Sequence, residues 1–148
     1  MKTLTYRIEI SPEPPVIWGA LTDPELYKRW ASAFSPKSEF IGSWTQGSTI
    51  DFYDPDFGGT RAILEEATAP ERIRARHIAT LDKGRNPDTE SETSKKWINS
   101  LESYRLSRSG EDTVLEVEIV CPEEFVDMFN KGWAKALPLL KSVCEGET

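Results

Sequence analysis

The chain contains one histidine, His77. It lies in a stretch, residues 72–80, in which Ile73, Ala75, His77 and Ala79 fall on one side of an extended chain and Arg72, Arg74 and Arg76 on the other. The apolar partners mark the histidine side as inward, and the alanines leave room beside the ring. An imidazole changes charge near neutral pH, so His77 has two readings: a hydrogen-bonded core histidine, or a polar anchor or acid–base group inside a cavity. Glu102 and Tyr104 alternate with Ser103 and share a face of their own strand. Turned inward near an imidazole, they would supply an acceptor, a donor and a tunable proton. Nothing in the spacing brings the three together, and Glu102 also reads as an ordinary exposed strand residue.

Other chemistries find less support. One histidine and two distant cysteines do not make a common zinc site. Asp51, Asp54 and Asp56 lie near a turn but lack the EF-hand spacing. No nucleophile elbow and no glycine-rich phosphate loop occurs. The sequence therefore nominates no catalytic residue, no metal and no cofactor. The aromatic residues read mostly as core, and would equally suit the wall of a small-molecule cavity, which is aromatic-lined with few polar groups. Of the five tryptophans, Trp44, Trp97 and Trp133 are candidate cavity residues, with Trp97, just after a polar stretch, at the mouth. Phe52 and Met128 join them. Gly132 is unusual, because glycine inside a helix costs about 0.8–1.0 kcal/mol relative to alanine. Either a strand backbone or a bulky partner such as Trp44 approaches it closely, or the missing side chain keeps cavity volume open.

The elements that must position these residues follow from periodicity. Residues 4–10 alternate with Leu4, Tyr6, Ile8 and Ile10 on one face, a half-buried strand. Pro12, Pro14 and Pro15 end it and open a short helix through Val16–Leu21. A second short helix, carrying Leu26, Tyr27 and Trp30, starts either with a capping box from Thr22 to Glu25 or with Asp23 as cap before Pro24. Strands are predicted over 37–44, 48–53, 60–67, 72–80, 100–108 and 113–121, and a long loop over Asp82–Lys95. The last element is an amphipathic helix from about Glu123 to Cys144, interrupted by Pro138, with Phe125, Met128, Phe129, Gly132, Trp133, Ala136, Leu137, Leu140 and Val143 at three- and four-residue spacings. Antiparallel strands with helices gathered on one face make an α+β domain. A curved sheet of about seven strands wrapped around the long helix would leave a cavity between them.

Composition narrows the partners. With 148 residues the chain fits a single domain, residues 1–148. Its 25 acidic and 18 basic residues give a net charge of −7, unfavourable for nucleic acid or an anionic membrane. Arg72, Arg74 and Arg76 are read as a solvated face. Cys121 and Cys144 stand roughly 30 Å apart along the last helix. That is too far for a disulfide, so both read as small hydrophobes in a reducing compartment. No apolar run reaches the length of a membrane span, and the N-terminus has no signal-peptide core. The expected location is the cytoplasm.

The ordered set of elements resembles the SRPBCC superfamily of START-like helix-grip domains, nearest to the branch of heat-shock-protein ATPase activator homologues. The residues that carry the resemblance run from about 4 to 145. They include Val16-Ile17-Trp18, Thr22-Asp23-Pro24 with Trp30, Gly42-Ser43-Trp44-Thr45-Gln46-Gly47-Ser48, Ile50-Asp51-Phe52, Ile78, Trp97, Glu102-Ser103-Tyr104-Arg105-Leu106, Thr113 through Val117, and Trp133 through Lys141. No one of these motifs is specific; their order is. The resemblance implies a cavity under the long helix and a small apolar ligand. It leaves open a cyclase- or dehydratase-like use of His77, Glu102 and Tyr104, and a chaperone partner. It transfers no catalytic set, because the superfamily includes carriers, receptors, cyclases and chaperone activators. The chain is also too short for the additional client-facing domain of the ATPase activators.

Overall fold

A computed structural model describes residues 1–146. The elements follow in the order β1 (Lys2–Ile10), α1 (Pro14–Thr22), α2 (Pro24–Ala31), β2 (Glu39–Gly42), β3 (Thr49–Asp54), β4 (Gly58–Thr68), β5 (Arg72–Leu81), β6 (Pro87–Asp88), α3 (Glu92–Trp97), β7 (Leu101–Ser109), β8 (Asp112–Cys121) and α4 (Val126–Cys144). The strands form one antiparallel, eight-stranded sheet in the order β1-β8-β7-β5-β4-β3-β2, with the two-residue β6 on the edge of β5. The chain has the helix-grip arrangement expected of it: an α+β fold in which the sheet faces a long C-terminal helix, with two short helices after the first strand.

Local sequence explains how the helices begin. Pro14 and Pro15 occupy the first positions of α1, where no intrahelical N–H is needed. Of the two starts open for α2, the chain uses Asp23. Its carboxylate accepts the N–H groups of Glu25 (3.1 Å) and Leu26 (3.0 Å), and Pro24 follows as the first helical residue. Thr22 instead donates its hydroxyl to the carbonyl of Trp18 at 2.8 Å. Trp30, at the far end of α2, donates its indole N–H to the Ala20 carbonyl (2.9 Å) and so locks α2 onto α1.

In α4 the buried stripe is Gly132, Trp133, Ala136, Leu140 and Cys144, at helical spacing. The helix starts at Val126 after a 3₁₀ turn over Glu123–Phe125, three residues later than predicted. Pro138 lies within it and leaves the Ala134 carbonyl without its helical donor. Trp133 stacks on Trp30 (5.8 Å, 29°) and on Tyr6 of β1 (6.0 Å, 28°), joining α4 to both the short helices and the sheet. Cys121 and Cys144 are free and buried, and burial raises both thiols, Cys144 to about 12.

One predicted loop is an ordered segment. Within residues 82–95, Pro87–Asp88 pairs with β5 and α3 begins at Glu92. Ser91 caps α3, its hydroxyl accepting the Ser94 N–H at 3.1 Å. Glu92 stands in the first turn and Lys95 and Lys96 in the last, the charges a helix dipole favours. A polar composition had concealed a short capped helix. Ser94 is fully buried and bonds Thr80 of β5 through their hydroxyls, which fastens α3 to the sheet.

Candidate functional site

Alternation along β5 points Ile73, Ala75, His77 and Ala79 inward, and all four are buried. The arginines take the outer face, where Arg74 and Arg76 both pair with Glu65 at 3.2 and 2.9 Å. Strand register then does what spacing could not. Ala75 lies opposite Glu102 and Ile73 opposite Tyr104 on β7, and the His77 N–H bonds the Ser100 carbonyl (2.9 Å) just before β7 begins. His77, Glu102 and Tyr104 therefore occupy successive inward positions along the same strand pair.

They border a cavity of about 230 Å³ between the sheet and the helices, open on one side. Phe52, Trp97, Met128 and Trp133, also expected there, line it too. An apolar cavity of roughly 150 Å³ accepts benzene, so this one has room for a substituted single ring. Residues not foreseen complete the walls. Tyr27, Trp30 and Ala31 come from α2, Phe34, Ser35 and Ser38 from the segment after it, Glu39 from β2, Tyr53 and Asp54 from β3, Gly58, Gly59 and Thr60 from β4, and Phe129 from α4. Trp30 and Tyr27 share one face of a recognisable amphipathic helix, which was the available signal. Phe34 lies in a connection whose path no local pattern specifies, and Ser38, within residues 37–44 expected as strand, lies just before β2. At Gly59 a Cβ would sit 1.8 Å from the Phe52 carbonyl oxygen, so only glycine lets β4 pass β3 at the cavity wall.

Two expected residues lie elsewhere. Trp44 does not border the cavity. It follows the end of β2 and packs against Phe40 (5.3 Å) and Phe52 (5.9 Å), so that Phe52 presents its ring to the cavity in its place. Gly132 does not keep volume open. A Cβ there would meet the Phe34 ring at 2.3 and 2.4 Å, so a bulky neighbour fills the space, and the neighbour is Phe34 rather than Trp44. Met128, placed in the apolar stripe, borders the cavity but is 48% exposed.

The electrostatics of the polar group are set by burial. His77 is 6% exposed, beside Phe52 (6.1 Å) and Trp97 (5.8 Å), and burial lowers its pKa to about 4. Its Nδ1 has no hydrogen-bond partner among the described residues. Burial raises Glu102 to about 7, against a hydrogen bond with Tyr104 that favours the carboxylate. The Tyr104 hydroxyl is raised by burial, by Glu102 and by Tyr27, and Tyr27 by burial and by Glu102. Asp54 behaves differently. Burial pushes it up, but the N–H groups of Asp56 (2.7 Å) and Lys37 (3.1 Å), the Ser35 hydroxyl and the Lys37 charge outweigh that and hold it below the usual carboxylate range. Asp51, expected near this turn, lies on the other face and is clamped by Arg61 (2.8 Å) and Arg85 (3.0 Å).

Solved structures match this architecture over nearly the whole chain. The Aha1 dimer from Colwellia psychrerythraea is 21% identical with a TM-score of 0.75, covering 98% of this chain and 97% of that one. Protein MLL2253 from Mesorhizobium loti is 14% identical with a TM-score of 0.78, covering 99% of each. CalU16 from Micromonospora echinospora is 21% identical with a TM-score of 0.67, covering 96% of this chain and 75% of that one. The fold these structures share with the chain is the α+β helix-grip arrangement. No family model matches the sequence, and no curated protein does. No helix among the described residues is long and apolar enough to cross a membrane.

Proposed function

We propose that this chain binds a small, largely apolar molecule in the cavity between the sheet and α4. The observation that carries the reading is the cavity's lining: aromatic walls from α2, β3, α3 and α4 around His77, whose buried Nδ1 lacks a partner. A buried polar atom left unpaired costs about 1–3 kcal/mol, which a ligand group at that nitrogen would recover. The fold supports the reading, since the superfamily resemblance implies such a cavity. The test is a titration with single-ring aromatic fragments followed by tryptophan fluorescence, because Trp30, Trp97 and Trp133 line the space. A saturable change is expected, and His77→Phe should keep the fold while weakening any fragment that bonds the imidazole. A flat response to every fragment would sink the reading.

A second reading is acid–base catalysis of the cyclase or dehydratase kind. It is favoured by Glu102, whose pKa near 7 suits proton transfer at neutral pH, facing Tyr104 in the same cavity as His77. Turnover of a bound ligand by the wild type and not by Glu102→Gln would establish it. The likeness to the Aha1 structure raises a chaperone partner, tested by stimulation of a heat-shock-protein ATPase on adding this chain.

A further inference from the structure

The cavity's charge pattern narrows what it holds. Its charged lining residues are Glu39, Asp54 and Glu102, and no lysine or arginine borders it among the described residues. Lys37, beside the Asp54 rim, pairs with Asp56 at 3.3 Å outside the lining. His77 cannot supply positive charge near neutral pH, because burial keeps the ring neutral. Two buried nitrogens of lining residues, His77 Nδ1 and Trp133 Nε1, have no hydrogen-bond partner among the described residues. Trp30, Trp97 and Trp133 supply aromatic surface, and indole faces attract cations through their quadrupole. An anion would face carboxylates and electron-rich rings, with no cationic side chain to receive it.

Resting on the cavity-binding reading above, we propose that the ligand is a small organic cation, an aryl- or alkylammonium, with its charge against Glu102 and its apolar body between the aromatic walls. Glu102 stands with Tyr104 on the inner face of β7, beside His77 of β5, and has fewer competing donors than Asp54. Asp54 already accepts two backbone N–H groups, whereas the partner assigned to Glu102 is the Tyr104 hydroxyl. The volume limits the ligand to about one ring and a short chain.

Three probes of equal size and different charge test this at pH 8: 2-phenylethylammonium, 2-phenylethanol and phenylacetate. Binding is read from the tryptophan indole resonances by NMR titration. The ammonium should bind at least about tenfold more tightly than the alcohol, and phenylacetate most weakly. Glu102→Gln should abolish the ammonium's advantage over the alcohol, both measured on the same variant. Alcohol or phenylacetate binding as tightly as the ammonium to the wild type overturns the proposal and leaves the cavity reading standing, as does an undiminished ammonium preference in Glu102→Gln. If none of the three shifts the indole resonances saturably, both readings fall.

Discussion

At the scale of single residues, the cavity holds two groups whose pKa values burial moves in opposite directions. Glu102 is raised from an ordinary 4.5 to about 7, and His77 is lowered from 6.5 to about 4. In the unfolded chain Glu102 gives up its proton first, so its contribution to stability is complete below about pH 4.5 and is lost as the pH rises through 7. His77 has the opposite sign. Its contribution is complete above pH 6.5 and is lost as the pH falls through 4, because the unfolded imidazole takes up the proton that the folded one refuses. Between about pH 4.5 and 6.5 the two slopes cancel, and each limb amounts to a few kcal/mol at most. Urea denaturation as a function of pH should therefore show a flat region in the wild type. His77→Phe should instead lose stability steadily as the pH rises from 4.5 to 7. Glu102→Gln should lose it as the pH falls from 6.5 to 4. A wild-type profile unchanged by either substitution would mean that neither group is desolvated.

At the scale of elements, the strands were legible because alternation is a two-residue pattern, and it placed His77 on the right face of β5 before any register was known. Register was not legible. Glu102 and Tyr104 come beside His77 only because β7 pairs with β5 at Ala75 and Ile73, a long-range choice that no local window contains. Residues 82–95 failed for the opposite reason: α3 is made almost wholly of polar residues and is held by the Ser91 cap and the buried Ser94 hydroxyl, so it carries no apolar periodicity. The break in α4's own stripe was visible as Gly132, but its cause was not, because Phe34 lies in an irregular connection. That contact yields a prediction for the helix. Gly132→Ala gains about 0.8–1.0 kcal/mol in helix propensity yet must push the Phe34 ring aside. Gly132→Leu adds overpacking that typically costs about 1–3 kcal/mol. Thermal melts should show the leucine variant clearly less stable and the alanine variant no better than wild type. A second substitution, Phe34→Ala, should relieve the Gly132→Leu penalty, and additivity of the two would show that the rings and the glycine do not touch.

At the scale of the whole molecule, the helix-grip fold leaves space where most domains of this size close-pack their interiors. The aromatic contacts make this explicit. Tyr6, Trp133 and Trp30 form one stacked series that fills the junction of β1, α4 and α2, whereas Phe52, His77 and Trp97 continue around the far side with the cavity between the two groups. The protein thus forgoes packing on one side of α4 that it has on the other. If the space serves a ligand, filling it should stabilise the fold and damage binding at once, the usual trade between stability and function. Ala31 is the position to test. It lies at the end of α2, is 1% exposed and borders the cavity, so a larger side chain can extend into existing volume rather than into neighbours. Ala31→Leu should raise stability by about 0.5–2 kcal/mol, the range common for cavity-filling changes, and reduce binding of a single-ring probe by at least about tenfold. Gly132→Leu, the same kind of enlargement a short distance away, should lower stability because Phe34 already occupies its space. Opposite signs of ΔTm for these two variants, measured side by side, would locate the empty volume on the α2 side of Phe34. Destabilisation by both would show that the cavity wall at Ala31 is closed.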